Sequence, residues 1–539
     1  MTTLAALADL SRAELQARVA ALTGRMHALT NENAALRAKL AELQQLVAAL
    51  REEIARLKRV KGRPVIKPSG LDKPTGRQRR GHARWPGRGK VVPRVVIQTQ
   101  VLRVEVPEGS QRKGYETYQI QELEIRARVV RYRRERWLTP DGETIVAPLP
   151  ANIHGHFGPE LRRYVLMQYH QGQVTVARLV AQLQAIGIAI SKREVMRLLI
   201  DRQDEFLDEN RDVLRAGLET ATWITADDTG ARHRGANAVC TEIGNDDFTW
   251  FATTASKSRL SFLGLLRAGF TDYVVNDAAL AYMREHALAE AVVAALAAQR
   301  RCAFADQAAW QRHIRRLRIN GRPLNAIQVR IATEGALWGA VQEHGFLHHA
   351  VIVSDDAGQF NVGQHALCWI HSERLVHALD TFTDAQHAAQ QHERGLIWRF
   401  YAALKAYRLA PSARRRAQLQ ARFERIFHRT TGFATLDRLL KRLHANKAEL
   451  LRVLDHPEIP LHTNNSETAL RCQVTKRHIS GGTHSDLGRA CRDAFLGLGK
   501  TCQKLGIAFW DYLGARLGVP NAPAVPFLPD IIRCRGQPA

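Results

Sequence analysis

The sequence predicts an α/β core with large helical insertions, preceded by an N-terminal coiled coil and a small mixed β/helix-turn-helix region. Three observations predict it. Apolar runs of strand length end in acids at Asp227 and Asp355, with long helical stretches between and after them. Leucine recurs at every seventh residue from Leu15 to Leu57. Between these regions lie an alternating segment with a hairpin-turn signal and a stretch that reads as two short helices.

Bulk properties narrow the class. The chain has 539 residues, too many for one ordinary core, and its 45% hydrophobic content is ample for packing. A net charge of +26 points to a polyanionic partner, nucleic acid before all. No stretch approaches the ~18–20 apolar residues of a spanning helix, so no membrane partner is expected. The start lacks a cationic leader, and seven scattered cysteines fit a reducing compartment; a cytoplasmic, nucleoid-associated bacterial protein is expected. No cysteine pair has CxxC spacing and Cys368-His371 stands alone, so no zinc is expected.

Residues 1–57 read as an oligomerisation helix. Leu15, Leu22, Leu29, Leu36, Leu43, Leu50 and Leu57 occupy d positions, with Val19, Met26, Asn33, Leu40, Val47 and Ile54 at a. An Asn at a single a position favours a parallel dimer, because two buried amides pair across it. Residues 58–95 form a basic arm, including Arg79 and Arg80, whose five prolines and many glycines forbid helix or sheet. Such an arm neutralises phosphates without reading sequence.

Residues 96–215 read as β-hairpin plus helix-turn-helix. Ile125–Val129 alternates and Asp141-Gly142 signals a turn; Gly187 separates two helices, the second opened by the capping box Ser191–Glu194. Entering the major groove, that helix would bring Lys192, Arg193 and Arg197 to DNA. A plain helix pair is the alternative.

The core is expected at 216–380, with strands at Trp223–Asp227, Val239–Gly244, Phe248–Thr254, Ala350–Ser354 and Ala366–Trp369 and a helical insert at about 271–345. Residues 381–460 form a second helical insertion, whose Arg414, Arg415, Arg416, Arg422 and Arg425 either line DNA or form a solvated face. Residues 461–539 open on a helix bearing Glu467. The Gly497–Thr501 stretch has the end of a phosphate loop but Ala494 where its first glycine belongs, and it is read as helix.

Asp227 and Asp355 at two strand ends, with Glu467 at a helix start, can supply oxygen ligands to hard divalent cations. Two such ions about 3.5–4 Å apart clamp the attacking and leaving oxygens of a phosphodiester. Asp228 and Asp356 adjoin the first two acids, and alternation at a strand end does not choose within either pair.

Four words in order resemble the insertion-sequence-66 family of bacterial transposases. They are Ala226-Asp227-Asp228-Thr229, where the family has Asp-Glu-Thr; Asp355-Asp356-Ala357-Gly358-Gln359-Phe360; Cys368-Trp369-Ile370-His371; and Asn464-Asn465-Ser466-Glu467-Thr468-Ala469-Leu470-Arg471. The resemblance implies an RNase H-like (retroviral integrase superfamily) core and a DDE triad of Asp227, Asp355 and Glu467. These residues would hold two Mg²⁺ or Mn²⁺ ions, Asp227 bridging both. Arg471, Lys476 and Arg477 would then hold phosphates of double-stranded DNA, at element ends and target. Small accessory proteins of the same element are implied as partners, beside a homodimer or higher oligomer. The expected reaction is DNA cleavage and strand transfer; the alternatives are a nuclease without joining and a dimeric regulatory or architectural DNA-binding protein.

Overall fold

The computed structural model describes residues 12–59, 97–150, 153 and 155–536. The basic arm, with Arg79 and Arg80, lies outside the described residues save for its first two. The chain divides into two compact units, Met1–Thr117 and Tyr118–Ala539.

In the first unit a single helix, α1, spans Arg12–Arg59. Its heptad residues Leu15, Val19, Leu22, Met26, Leu29, Leu36 and Leu40 are exposed on the single chain. A 48-residue helix has no such apolar seam to leave in water unless something covers it.

The second unit begins with chain that forms no helix or strand before Arg136. Only Arg136–Leu138 and Thr144–Val146 pair, closed by a turn at positive-φ Gly142. The alternating Ile125–Val129 makes no strand, and Ile125 and Val129 are exposed. Alternation needs a partner edge and a core to cover one face, and neither is present there. Helices Val176–Ala185 and Lys192–Ile200 follow, the second with the Ser191–Glu194 capping box in place.

The central sheet has five strands: β1 Trp223–His233, β2 Ala236–Gly244, β3 Thr249–Thr254, β4 Val351–Ser354 and β5 Gln364–Leu367, ordered β5-β4-β1-β2-β3. The first three form an antiparallel meander, while β4 runs parallel to both β1 and β5. Mixed α/β architecture, many helices around one mixed sheet, is thus observed. Several expected bounds shift by one to six residues, and two of the shifts bear on the site. Strand β1 continues six residues past Asp227, because Arg234 and Gly235, both at positive φ, turn it back onto β2. Strand β5 stops at Leu367, and Trp369 already opens a helix.

Both faces of the sheet are covered, as parallel pairs require. Ile224, Ala226, Ile243 and Ile352 pack into one core with Phe248 and Phe262; Val351 and Val353 pack into another with Trp369, Phe400 and Phe423. Alternation along β4 therefore sends neighbouring residues to opposite cores. Residues 271–345 contribute four helices and 384–450 four more; Gly497–Thr501 lies within the helix Asp486–Leu505. Among the described residues no helix is long and apolar enough to cross a membrane.

Candidate active site

Strand register brings the first two acids side by side. Thr225 pairs with Val353 across the parallel strands, so two steps further Asp227 and Asp355 lie at matching positions. On β1, Thr225 and Asp227 share one face, while Ile224, Ala226 and Asp228 share the other. Glu467 arrives on helix α2, Asn464–Ser480, which packs against β1. Its position is fixed one residue away: the buried Ser466 hydroxyl donates to Thr225 Oγ1 at 2.7 Å, and Thr225 in turn donates to the Gly244 carbonyl at 3.1 Å. Asp227 and Glu467 line one open groove with Asp228, Thr229, Leu470, Arg471, Val474 and Thr475.

A third element closes the site. Helix α3, Trp369–His377, carries His371 and Arg374. Arg374 grips Glu467 through both guanidinium nitrogens, at 2.6 and 3.2 Å, and His371 Nε2 lies 3.5 Å from the same carboxylate. Arg374 first, and His371 after it, hold the Glu467 carboxyl below its usual range. His371 is raised, chiefly by Cys368 and further by Asp227 and Glu467, so it sits in the field of two of the three acids. Arg374 was not anticipated from sequence; its spacing three residues after His371 on one helix face is the signal that would have found it.

The paired acids separate by partner. Asp228 accepts from Lys257 Nζ at 2.9 Å and Gln359 Nε2 at 2.7 Å; Asp356 is bound by Arg442 at 2.6 Å and Asn446 at 3.2 Å. Among the described residues Asp227 and Asp355 make no such bonds to cations: Asp227 accepts from the Asp228 amide at 2.7 Å and Asp355 from the Ala357 amide at 3.1 Å. Asp277, which also follows an apolar run, Tyr273–Val275, starts another helix behind the Asn276 cap.

Burial pushes the Asp227 carboxyl up to about 6, with Asp355 and Asp228 adding repulsion against the Asp228 amide and His371. Between roughly pH 4 and 6 the folded chain therefore holds a proton that the unfolded chain has released, and stability falls as pH rises through that window. Without divalent cations, Asp227→Asn should match the parent's Tm near pH 4 and exceed it at pH 7. Identical Tm values at pH 7 would contradict the raised pKa.

One further acid lies beneath the site. Glu242 is the cross-strand partner of Asp227, on the same sheet face and fully buried. Burial lifts its carboxyl to about 7, opposed by the Lys504 charge and the Ser466 hydroxyl. Its sequence signal is an acid within Val239–Gly244, otherwise a strand core.

The expected DNA contacts divide. Arg471, four residues from Glu467, shares its face of α2 and is exposed on the groove. Arg477 lines a neighbouring crevice with Arg232 and Arg492. Lys476 is a correction. It stands nine residues from Glu467, half a turn round the helix, fully buried over the Tyr169 ring and donating to the Tyr169 carbonyl at 2.7 Å. It offers no cation to a phosphate. Lys192, Arg193 and Arg197 are exposed. In the insertion, Arg416 pairs with Asp455 and Arg415 bonds the Ala410 carbonyl.

The sequence model of the "Transposase IS66 family" matches residues 154–317 and 340–490, more than half of the chain. The chain belongs to the IS66 transposase family. The matched stretches contain Asp227, Asp355 and Glu467, while α1 lies before them. Among curated proteins, the uncharacterized protein y4jO of Sinorhizobium fredii (strain NBRC 101917 / NGR234) is 49% identical over 314 residues. That alignment spans 58% of this chain and 97% of the relative.

Proposed function

We propose that this IS66 family member is a DDE transposase that binds the ends of its element and catalyses DNA cleavage and strand transfer. The observation that carries the reading is the meeting of Asp227 and Glu467 on one open groove of a basic protein, with Asp355 at the matching position beside Asp227 on the adjacent parallel strand. The β5-β4-β1-β2-β3 order, half parallel and half meander, supports an RNase H-like core.

The donor set suits Mg²⁺ or Mn²⁺: three carboxylates and no sulfur, with Asp227 and Asp355 close enough to repel each other. Asp227 would bridge two ions, Asp355 holding one and Glu467 the other. Bound there, the cations supply an activated hydroxyl nucleophile and charge stabilisation for the leaving oxygen. The chain's own residues do the rest. Arg374 and His371 keep Glu467 ionised, while Lys257 and Gln359 engage the carboxylate of Asp228. Arg471 and Arg477 are placed to bind phosphates, and no protein nucleophile is needed.

DNA recognition is assigned to the helix pair, with Lys192, Arg193 and Arg197 on the second helix, and to the basic arm. The exposed seam of α1 supports a parallel coiled-coil dimer or a higher oligomer built on it. A chain starting after Arg94 should show weaker self-association than the full chain in analytical ultracentrifugation; an unchanged number of chains per particle would remove the coiled coil as the joining surface.

The function is tested with the full chain, Mg²⁺ and duplex oligonucleotides carrying the element's terminal repeats. The expected products are cut 3′ ends and joined target strands. Cutting without joining would reduce the reading to a nuclease. Binding without cutting would return it to a regulatory or architectural protein.

A further inference from the structure

The second helical insertion contains a cluster of a different chemistry from the carboxylates of the groove. Glu424 and His428 are one turn apart at the end of the helix Ala413–Phe427, and His444 is in the last turn of the facing helix Ala434–Ala445. Glu424 Oε2 lies 2.7 Å from His444 Nε2 and 3.2 Å from His428 Nε2, and the two imidazole rings are 4.0 Å apart. One ligand atom from each residue can be chosen so that all lie within 4.8 Å of one another. Ligand atoms about 2.1 Å from a tetrahedral zinc ion stand roughly 3.4 Å apart, a spacing that the two edges from Glu424 approach.

We propose that Glu424, His428 and His444 bind a zinc-class transition metal through two imidazoles and one carboxylate oxygen, leaving a fourth position for water. Two imidazoles favour such a borderline ion over Mg²⁺, whose preference is all-oxygen. Lys447 Nζ donates to the other oxygen, Glu424 Oε1, and so holds the carboxylate with Oε2 turned toward the histidines. Outer partners of this kind commonly orient metal ligands. The residues are half-buried or exposed, which leaves an entry path.

The site would act as a clamp. The first helix carries Phe423 and Phe427, which pack around Trp369 of α3; the second carries Arg442, bound to Asp356 next to Asp355. Joining the two helices at His428 and His444 would stiffen the surface on which His371, Arg374 and Asp355 rest. An ordinary network of ion pairs around Glu424 is the competing account, and it requires no metal.

The full chain, stripped with chelator and titrated with Co²⁺, distinguishes the two. The proposal expects visible d–d bands of four-coordinate Co²⁺ saturating at one ion per chain, bleached by Zn²⁺. It also expects a rise in Tm on adding Zn²⁺. Both signals should be lost in His428→Gln and His444→Gln and retained in Asp227→Asn. His428 is exposed, so its variant should keep the parent's circular dichroism spectrum and test binding without unfolding. Absent bands in the parent, or bands and Tm shift unchanged in both histidine variants, would overturn the site.

Discussion

Asp227→Ala should lower DNA end cleavage and strand transfer at least about a thousandfold, while binding to the same DNA and oligomeric state stay at parent levels. The size follows from the role: a ligand shared by two cations supports charge stabilisation worth several kcal/mol in the transition state, and each 1.36 kcal/mol is a factor of ten in rate. Binding should survive because Asp227 lies in the groove floor, whereas the phosphate contacts are assigned to Arg471, Arg477, the helix pair and the arm. Asp355→Ala and Glu467→Ala should behave alike. Asp228→Ala and Asp356→Ala should retain measurable turnover, since their carboxylates are engaged by Lys257 and Gln359 or by Arg442 and Asn446. Gel-based cleavage and joining assays, read beside a binding titration, separate loss of chemistry from loss of DNA.

The second large effect is on stability. Trp369→Ala should cost about 3–5 kcal/mol, read as a lower urea midpoint with little change in slope. The indole is almost wholly buried among Phe400, Phe423 and Phe427, and its Nε1 donates to the Leu450 carbonyl at 3.0 Å. Its backbone amide donates to Leu461 at 3.0 Å, two residues before the cap of α2. The side chain thus ties α3 to the second insertion, and the backbone of the same residue holds the approach to Glu467. Trp369→Phe keeps most of the packing and strands one carbonyl, so a smaller loss of about 1–3 kcal/mol is expected. A midpoint unchanged in Trp369→Ala would mean that the insertion packs independently of α3.

What the sequence made legible was local. Trp223–Ala226 and Ala350–Ser354 are β-rich and apolar because both sheet faces are covered, so the acids that end those runs stood out. Ser191 marked a helix start through the two reciprocal short-range bonds of its capping box with Glu194, which need no tertiary information. The extension of β1 through polar Asp228–His233 was hidden, because its stability comes from pairing with β2, and Arg-Gly is a weaker turn signal than Asn-Gly. The choice between Asp227 and Asp228 was hidden for the same reason: at a supposed strand end neither face was defined, whereas in mid-strand only Asp227 shares the face of Thr225 and Ser466. Lys476 was misjudged because proximity in sequence to Glu467 was allowed to outweigh the 100° step of a helix. Glu242 and Arg374 were missed because each takes its role from a partner on another element, Asp227 across the strand pair in one case and Glu467 on α2 in the other.

The central claim is that Asp227, Asp355 and Glu467 make one divalent-cation site. Its most direct test counts Mn²⁺ ions bound by the full chain, using electron paramagnetic resonance of the free ion. The parent should bind more Mn²⁺, or bind it more tightly, than Asp227→Asn, Asp355→Asn and Glu467→Gln. Asp228→Asn and Asp356→Asn should match the parent, and any Mn²⁺ held at Glu424 would be common to all six proteins and cancel. Equal Mn²⁺ number and affinity in the parent and the three triad variants would contradict the account.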